Sequence, residues 1–186
     1  EAAKFVCSPA LRDREDCDAL WAALNSGLLN AVVSDHCGID VANLKQVGRN
    51  DFTQIPNGAP GAADRMHVIW TEGVAKGLIS RQKFVEITAT QPAKINGIYP
   101  RKGHIAVGCD ADLVVLDPDY RGVIRLEDNP NGVDYNIYEG REQLGRVETV
   151  LLRGRVVVRD AQFVGEYGQG QFIPAKMYGS CYENRA

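Results

Sequence analysis

The stretch LLNAVVSDHCGID, at residues 28–40, constrains the fold of this chain more than any other feature of its sequence. Its centre, NAVVS, is apolar on both faces, which is typical of a parallel strand covered by helices on each side. The run stops abruptly at Asp35 and His36. An earlier apolar segment, KFVCSP, stops in the same manner at Ser8 and Pro9, since proline has no N–H to give to a strand ladder. Two buried strands that end on polar residues predict a parallel α/β fold.

Helical segments separate and follow these two strands. Between them, apolar residues recur at helical spacing and stop near Gly27, a common residue at the C-terminal end of a helix. Further helices are predicted over residues 62–76, 80–90 and 92–96. Strands that alternate with helices are typical of a (β/α)8 barrel, which places its active-site residues at the C-terminal ends of the strands. Asp35 and Ser8 stand at such positions.

After Gly103 the residue pattern changes from helical to strand-like. Segments such as HIAVGCDADLVVLDP and RVETVLLRGRVVVRDAQFV have little helical period and contain runs of β-branched residues, which favour strands. We therefore predict three parts: a portion of a barrel over residues 1–100, an all-β domain over residues 101–165, and a tail rich in glycine and tyrosine over residues 166–186. The tail is expected to lie on a neighbouring surface.

Composition excludes several classes of protein. The 186 residues carry 24 acidic and 21 basic side chains, a net charge of −3 without a basic run, so the chain lacks the electrostatic features of a nucleic-acid binder. No apolar stretch approaches the length of a membrane span. The five cysteines are odd in number, widely spaced and without a C-x-x-C pair, which predicts reduced thiols and a cytoplasmic protein. Because the chain begins at Glu1 within helix-like sequence, we expect its natural start to lie upstream.

The polar residues after the second strand are the first candidates for chemistry. Asp35 could ligate a metal or act as a general base, but a helix cap or a loop hydrogen bond is an equally good interpretation. His36 is expected to be a loop histidine, and Cys37 an inert, packed thiol. His67 and His104 are predicted to be structural. With three histidines and no H-x-H pair, this chain cannot build a two-metal site alone.

A loop over residues 38–61 is the second candidate region. Its length of about 24 residues exceeds that of most connections in compact domains, and loops of this length are usually functional or disordered. Within it, Asn57 precedes Gly58 in the sequence IPNGAPG. The backbone of Asn57 could contact a ligand, although a plain turn explains the same composition.

Six segments, taken together and in order, closely resemble the C-terminal two-fifths of the dihydropyrimidinase and D-hydantoinase family, a branch of the metal-dependent amidohydrolases. DFTQIPNG, YPRKG and YNIYEG are specific to this branch, whereas GCDADLVVLDP recurs across amidohydrolases. The resemblance covers essentially the whole chain. The segments are FVCSPALRDREDCDALWAAL, SDHCGID, VGRNDFTQIPNGAPGAADRM, TATQPAKINGIYPRKGHIAVGCDADLVVLDP, VDYNIYEG and LLRGRVVVRDAQFV.

The resemblance implies a (β/α)8 barrel with a β-sandwich formed by both chain ends, and hydrolytic opening of 5,6-dihydropyrimidines or 5-substituted hydantoins to N-carbamoyl amino acids. It implies two divalent metal ions, zinc in most members, bridged by a hydroxide and by a carboxylated lysine that is not in this chain. Asp35 would bind one metal and transfer the proton of the bridging water. Backbone groups of Ser8 and Asn57 would hold the cyclic amide, with Cys7 beside the pocket. A homotetramer, contacted by the tail, is also implied.

The family's remaining ligands, an H-x-H pair, the lysine and two histidines, would lie upstream of Glu1, as would the tyrosine that steadies the oxyanion. This chain alone is therefore expected to be inactive and unstable. A scaffold branch, the collapsin response mediator-like proteins, carries a non-ligating residue where this chain has Asp35, which favours the enzyme; a scaffold or an inactive fragment remains the alternative. Allantoinases and dihydroorotases typically follow SDH with Ala-Pro instead of Cys37-Gly38, and they lack DFTQIPNG.

Overall fold

The computed structural model describes residues 1–177, with helices in the first half and an antiparallel sheet in the second. Wider π-helical turns lie at Trp70–Ala75 and Glu86–Thr90, each directly after an α-helix. Short 3-10 turns lie at Ala2–Phe5, Lys45–Gly48, Phe52–Gln54 and Leu126–Asp128. The α-helices are α1 (Arg14–Ser26), α2 (Arg65–Ile69), α3 (Arg81–Val85) and α4 (Gln91–Ile95), and the strands are β1 (Leu113–Val123), β2 (Glu142–Leu152), β3 (Arg155–Arg159) and β4 (Gln162–Phe163).

The helices begin and end where local sequence signals place them. The Asp13 carboxylate accepts a hydrogen bond from the Asp16 N–H at 3.2 Å and so caps α1, and Gly27 ends it in a left-handed conformation with φ of +84°. The Ser80 hydroxyl accepts from the Lys83 N–H at 3.0 Å and caps α3. The helix predicted to stop near Gly27 and those predicted over residues 62–76, 80–90 and 92–96 are confirmed.

The two predicted parallel strands are wrong for the described chain. The first segment begins with the 3-10 turn Ala2–Phe5, and residues 30–35 have no regular secondary structure. The physical reason is visible at Val32, whose N–H donates to the Ile87 carbonyl at 3.1 Å and whose carbonyl accepts from Arg65 Nη1 at 3.0 Å. Helical groups therefore occupy the backbone atoms of Val32, and within residues 1–177 no strand pairs with residues 30–35 to form a ladder. A single parallel bridge, His36 to Ala59, is the ladder contact of this region.

A buried cluster joins the helices to the sheet. Trp70 and Phe84 meet edge to face, with ring centroids 5.2 Å apart and an interplanar angle of 88°, an arrangement that aromatic pairs prefer. Leu116 of β1 packs against this cluster from the sheet side. The buried members are Leu24, Trp70, Ile79, Phe84 and Ile87.

The sheet confirms the prediction of a β-rich region after Gly103. Its four strands are antiparallel in the order β1-β2-β3-β4, with Val114 opposite Val150 and Val150 opposite Val158. This single sheet packs on the helices, so the described chain is an α/β unit with one antiparallel sheet. None of the helices in residues 1–177 combines the length and apolar character needed to cross a membrane. The described cysteines Cys7, Cys17, Cys37 and Cys109 are free thiols.

His67 makes the stability of this unit depend on pH. Its Nε2 accepts a hydrogen bond from the Val147 N–H of β2 at 3.3 Å, which requires the neutral imidazole. Burial lowers the pKa of His67 below 6.5, with the Asp64 charge opposing this shift and Arg146 adding to it. The unfolded chain therefore binds more protons than the folded chain below about pH 6.5. We expect the free energy of unfolding to fall as pH drops from 6.5 toward the folded pKa.

The measurement is chemical unfolding of the intact protein at several pH values between about 7 and 5. A His67→Gln variant keeps an acceptor without a titrating group, and we expect it to weaken the pH dependence. His104→Gln is the matched control, because His104 is exposed. If His67→Gln and His104→Gln leave the same slope of stability against pH, burial of His67 is not its origin.

Candidate functional site

A cavity of about 190 Å³ brings together all three residues singled out in the sequence, Ser8, Asp35 and Asn57. They come from three separate loops, and the loop between β1 and β2 closes the cavity with Ile137 and Tyr138. Four segments distant in sequence therefore meet at one place. The remaining lining residues are Cys7, Pro9, Ser34, Cys37, Gly58, Ala59, Pro60 and Gly61.

Asp35 occupies an uncommon backbone conformation at this cavity. Its φ is +44°, in the left-handed region that residues other than glycine seldom adopt. Such a conformation costs of the order of 1–3 kcal/mol and persists only where the surroundings enforce it. The side chain is exposed, and across residues 1–177 no hydrogen bond to its carboxylate is found. The carboxylate can therefore accept a proton or bind a cation.

The residues after Asp35 are held firmly against the loop that carries Asn57. The Cys37 N–H donates to the Ala59 carbonyl at 3.0 Å, beside the His36–Ala59 bridge. His36 Nδ1 accepts from the N–H groups of Gly61 at 3.2 Å and Ala62 at 3.4 Å. His36 thus acts as a loop histidine, as expected, and these two contacts occupy its Nδ1 atom.

The backbone groups of Ser8 and Asn57 are available to a ligand. Within the part of the chain that the structure describes, neither residue uses its N–H or carbonyl in a hydrogen bond. The two loops are nevertheless joined next to these residues, because the Gly58 N–H donates to the Val6 carbonyl at 3.0 Å. Unpaired donors and acceptors at fixed separation suit a ring that presents both N–H and C=O groups.

Tyr138 and the motif around it also contribute to the cavity, although no pattern in the sequence pointed to them. Asn136 Oδ1 accepts from the Tyr138 N–H at 2.8 Å, and Asn136 Nδ2 donates to the buried Asp64 carboxylate at 3.2 Å. Asn129 Nδ2 also donates to Asp64, at 2.8 Å. Burial, and then the Asp64 charge, raise the pKa of Tyr138, so its phenol stays protonated at neutral pH. YNIYEG could have been recognised only as a family motif, since its place at the cavity depends on the Asp64 contact.

A second acid fixes the long loop beside the site. The Asp134 carboxylate accepts from the N–H groups of Val41 at 2.7 Å and Ala42 at 2.8 Å. Burial alone would raise the pKa of Asp134, but these hydrogen bonds outweigh it and lower that pKa. The loop over residues 38–61 is thus anchored near its start by Asp134.

The donor set at the cavity fits a contribution to a metal site but not a complete one. Among the described residues, no group of three or more histidine, cysteine, aspartate or glutamate side chains could hold a metal ion. Catalytic zinc takes three protein ligands. Asp35 offers one carboxylate, so the other ligands would have to come from outside the described residues.

Comparisons with known proteins identify the family of this chain. The amidohydrolase family model matches residues 3–157. The chain is 47% identical over 180 residues to a D-hydantoinase of Geobacillus stearothermophilus, covering 97% of this chain and 38% of that protein. It is 43% identical over 189 residues to dihydropyrimidinase 2 of Caenorhabditis briggsae, covering 99% of this chain and 36% of that protein.

Solved structures of a D-hydantoinase and a dihydropyrimidinase are also similar to this chain. A D-hydantoinase crystal structure superposes with a TM-score of 0.93 at 47% identity, over 96% of this chain and 39% of that one. A dihydropyrimidinase from Brevibacillus agri has a TM-score of 0.86 at 50% identity, over 88% of this chain and 35% of that one. The chain spans about two-fifths of the length of the curated relatives it matches. By its sequence and its fold, this chain belongs to the amidohydrolase family.

Proposed function

We propose that this chain is the C-terminal part of a cyclic-amide hydrolase. The reaction is the ring opening of 5,6-dihydropyrimidines or 5-substituted hydantoins by water, giving N-carbamoyl amino acids. The observation that carries the proposal is the cavity at which Ser8, Asp35 and Asn57 meet. The names of its relatives, D-hydantoinase and dihydropyrimidinase, support the substrate class.

Each residue at the cavity has a defined task in this reaction. The free N–H and carbonyl groups of Ser8 and Asn57 bind the ring amide and fix its orientation. Asp35 takes a proton from the attacking water and delivers it to the departing ring nitrogen, as a general base and then a general acid. Tyr138 and Ile137 cover one side of the cavity and limit the entry of water.

Asp35 is also the residue of this chain that would bind metal. We propose two divalent ions, zinc by preference, with the carboxylated lysine and the histidine ligands supplied from outside the described residues. When bound, such ions lower the pKa of water toward neutrality. Asp35 would accept a proton from the attacking water, and its strained, exposed position at the cavity suits that task.

The similarity to hydantoinases and dihydropyrimidinases also supports an architecture for the whole protein. We propose that residues 1–100 complete a (β/α)8 barrel and that the sheet of residues 101–165 is one layer of a composite β-sandwich. The homotetramer and the cytoplasmic location stay predictions. The tail contact predicted for residues 166–186 lies partly outside the described residues, which end at residue 177.

The test is the intact mass of the protein purified from its source, followed by assay on hydantoin and dihydrouracil. Because the chain spans 38% of a relative, we expect a mass well above 20.4 kDa, with ring opening that a metal chelator abolishes. A long protein that binds no metal and opens neither ring would be a scaffold. A mass of 20.4 kDa would identify an inactive fragment and refute the assignment.

A further inference from the structure

A buried lysine contacts two of the segments that line the cavity and has no part in the chemistry proposed above. Lys45, in the 3-10 turn Lys45–Gly48, is only 1% exposed. Its Nζ donates hydrogen bonds to the Val6 carbonyl at 3.1 Å and to the Pro56 carbonyl at 3.2 Å. Lysine is almost never fully buried unless it is paired with an acid. No carboxylate within residues 1–177 forms an ion pair with it.

The two carbonyls belong to the segments that carry the ring-binding residues. Val6 precedes Ser8 by two residues, and Pro56 directly precedes Asn57. The Val6 carbonyl also accepts from the Gly58 N–H at 3.0 Å. One ammonium group therefore joins the two backbone segments whose separation determines how a ring can bind.

We propose that Lys45 is a positioning residue that sets the spacing between the backbone groups of Ser8 and Asn57, and with it the preference for five- or six-membered rings. This inference rests on the proposed function for its substrate. Lys45 does not touch the ring; it acts through the two carbonyls.

The energetics favour a role of this kind. Burial lowers the pKa of Lys45, with Cys7 and Cys37 opposing the shift, so the buried charge is partly destabilised. A buried cation is costly unless its hydrogen bonds are made. A methionine of similar volume would fill the same space without that cost. Lysine supplies hydrogen bonds to two backbone carbonyls, which methionine cannot form.

The experiment compares Lys45→Met with Lys76→Met in the intact protein. Lys76 is a matched control, because it is a half-exposed lysine on a helical surface, paired with Glu72. Two quantities are measured: kcat/KM for hydantoin and for dihydrouracil, and backbone hydrogen exchange over residues 6–9 and 55–59. We expect Lys45→Met to lower kcat/KM by about 10- to 100-fold. We also expect it to change the ratio between the two rings several-fold and to speed exchange in both segments.

A purely structural lysine predicts a different result. Loss of folded protein lowers kcat/KM for both rings by one factor, so an unchanged ratio with no local change in exchange overturns the proposal. If Lys45→Met does not fold, Lys45→Gln is measured in its place. The shorter side chain of glutamine reaches one carbonyl at most, so we expect a smaller change in the kcat/KM ratio between the two rings, in the same direction. If the wild type opens neither ring, the proposed function fails, and hydrogen exchange alone decides whether Lys45 positions the two segments.

Discussion

An Asp35→Asn variant of the intact protein will open hydantoin about 10²–10⁴-fold more slowly than the wild type, the range typical of general acid–base groups. Asparagine has nearly the same shape as aspartate and tolerates the left-handed backbone at φ +44°. It cannot, however, accept and release a proton at neutral pH. The loss should therefore appear in kcat, measured under saturating substrate, with an unchanged thermal unfolding curve.

Two further variants separate catalysis from folding at this position. Asp18→Asn removes an exposed carboxylate of α1 that pairs with Arg14, and it should leave turnover unchanged. Asp35→Gly removes both the carboxylate and the backbone strain, so we expect an inactive protein that is at least as stable as the wild type. Near-normal turnover in Asp35→Asn would contradict the role of Asp35 as proton carrier.

Gly58→Ala should destabilise the protein strongly and disrupt the cavity. Gly58 has φ of +130°, a conformation that residues with a side chain rarely adopt. A Cβ there would lie 2.5 Å from Cys37 Cβ and 2.6 Å from its Sγ. Backbone strain costs about 1–3 kcal/mol, and overpacking costs about the same again. We expect a fall in the unfolding temperature of several degrees, together with weaker binding of the ring substrate.

Gly77→Ala is the matched control for backbone strain without a clash. Gly77 has φ of +77°, and a Cβ added there would meet nothing within 4 Å. A left-handed alanine costs roughly 1–2 kcal/mol, so its effect on the unfolding temperature should be the smaller of the two, with turnover unchanged. Equal losses of stability in Gly58→Ala and Gly77→Ala would show that contact with Cys37 contributes nothing.

Local signals in the sequence predicted the helices and the β-rich region after Gly103 correctly. Such signals act on residues close to them in the sequence. They are the capping side chains of Asp13 and Ser80, the helix stop at Gly27 and the β-branched run at residues 156–158. The two parallel strands failed because a strand is defined by hydrogen bonds to a neighbour. At Val32 those bonds go to helical partners.

The residues at and around the site also divide into those that could be predicted from the sequence and those that could not. The resemblance predicted Ser8, Asp35 and Asn57 as site residues, and the structure places them at one cavity, while their chemical roles stay predictions. Lys45 could not have been predicted, because its burial depends on carbonyls 39 and 11 residues away. A lysine in a polar loop is usually exposed, so composition points to the wrong environment.

Hydrogen bonds between β2 and the helical segment of residues 65–75 cross the boundary predicted between residues 100 and 101. The Thr71 hydroxyl donates to the Leu144 carbonyl at 3.2 Å and accepts from the Leu144 N–H at 3.0 Å. His67 accepts from Val147 in the same strand. A chimera joined at this boundary would inherit Thr71 and His67 from one parent and their partners from another. Substitutions in β2 at these contacts are therefore constrained by the helical segment across the interface.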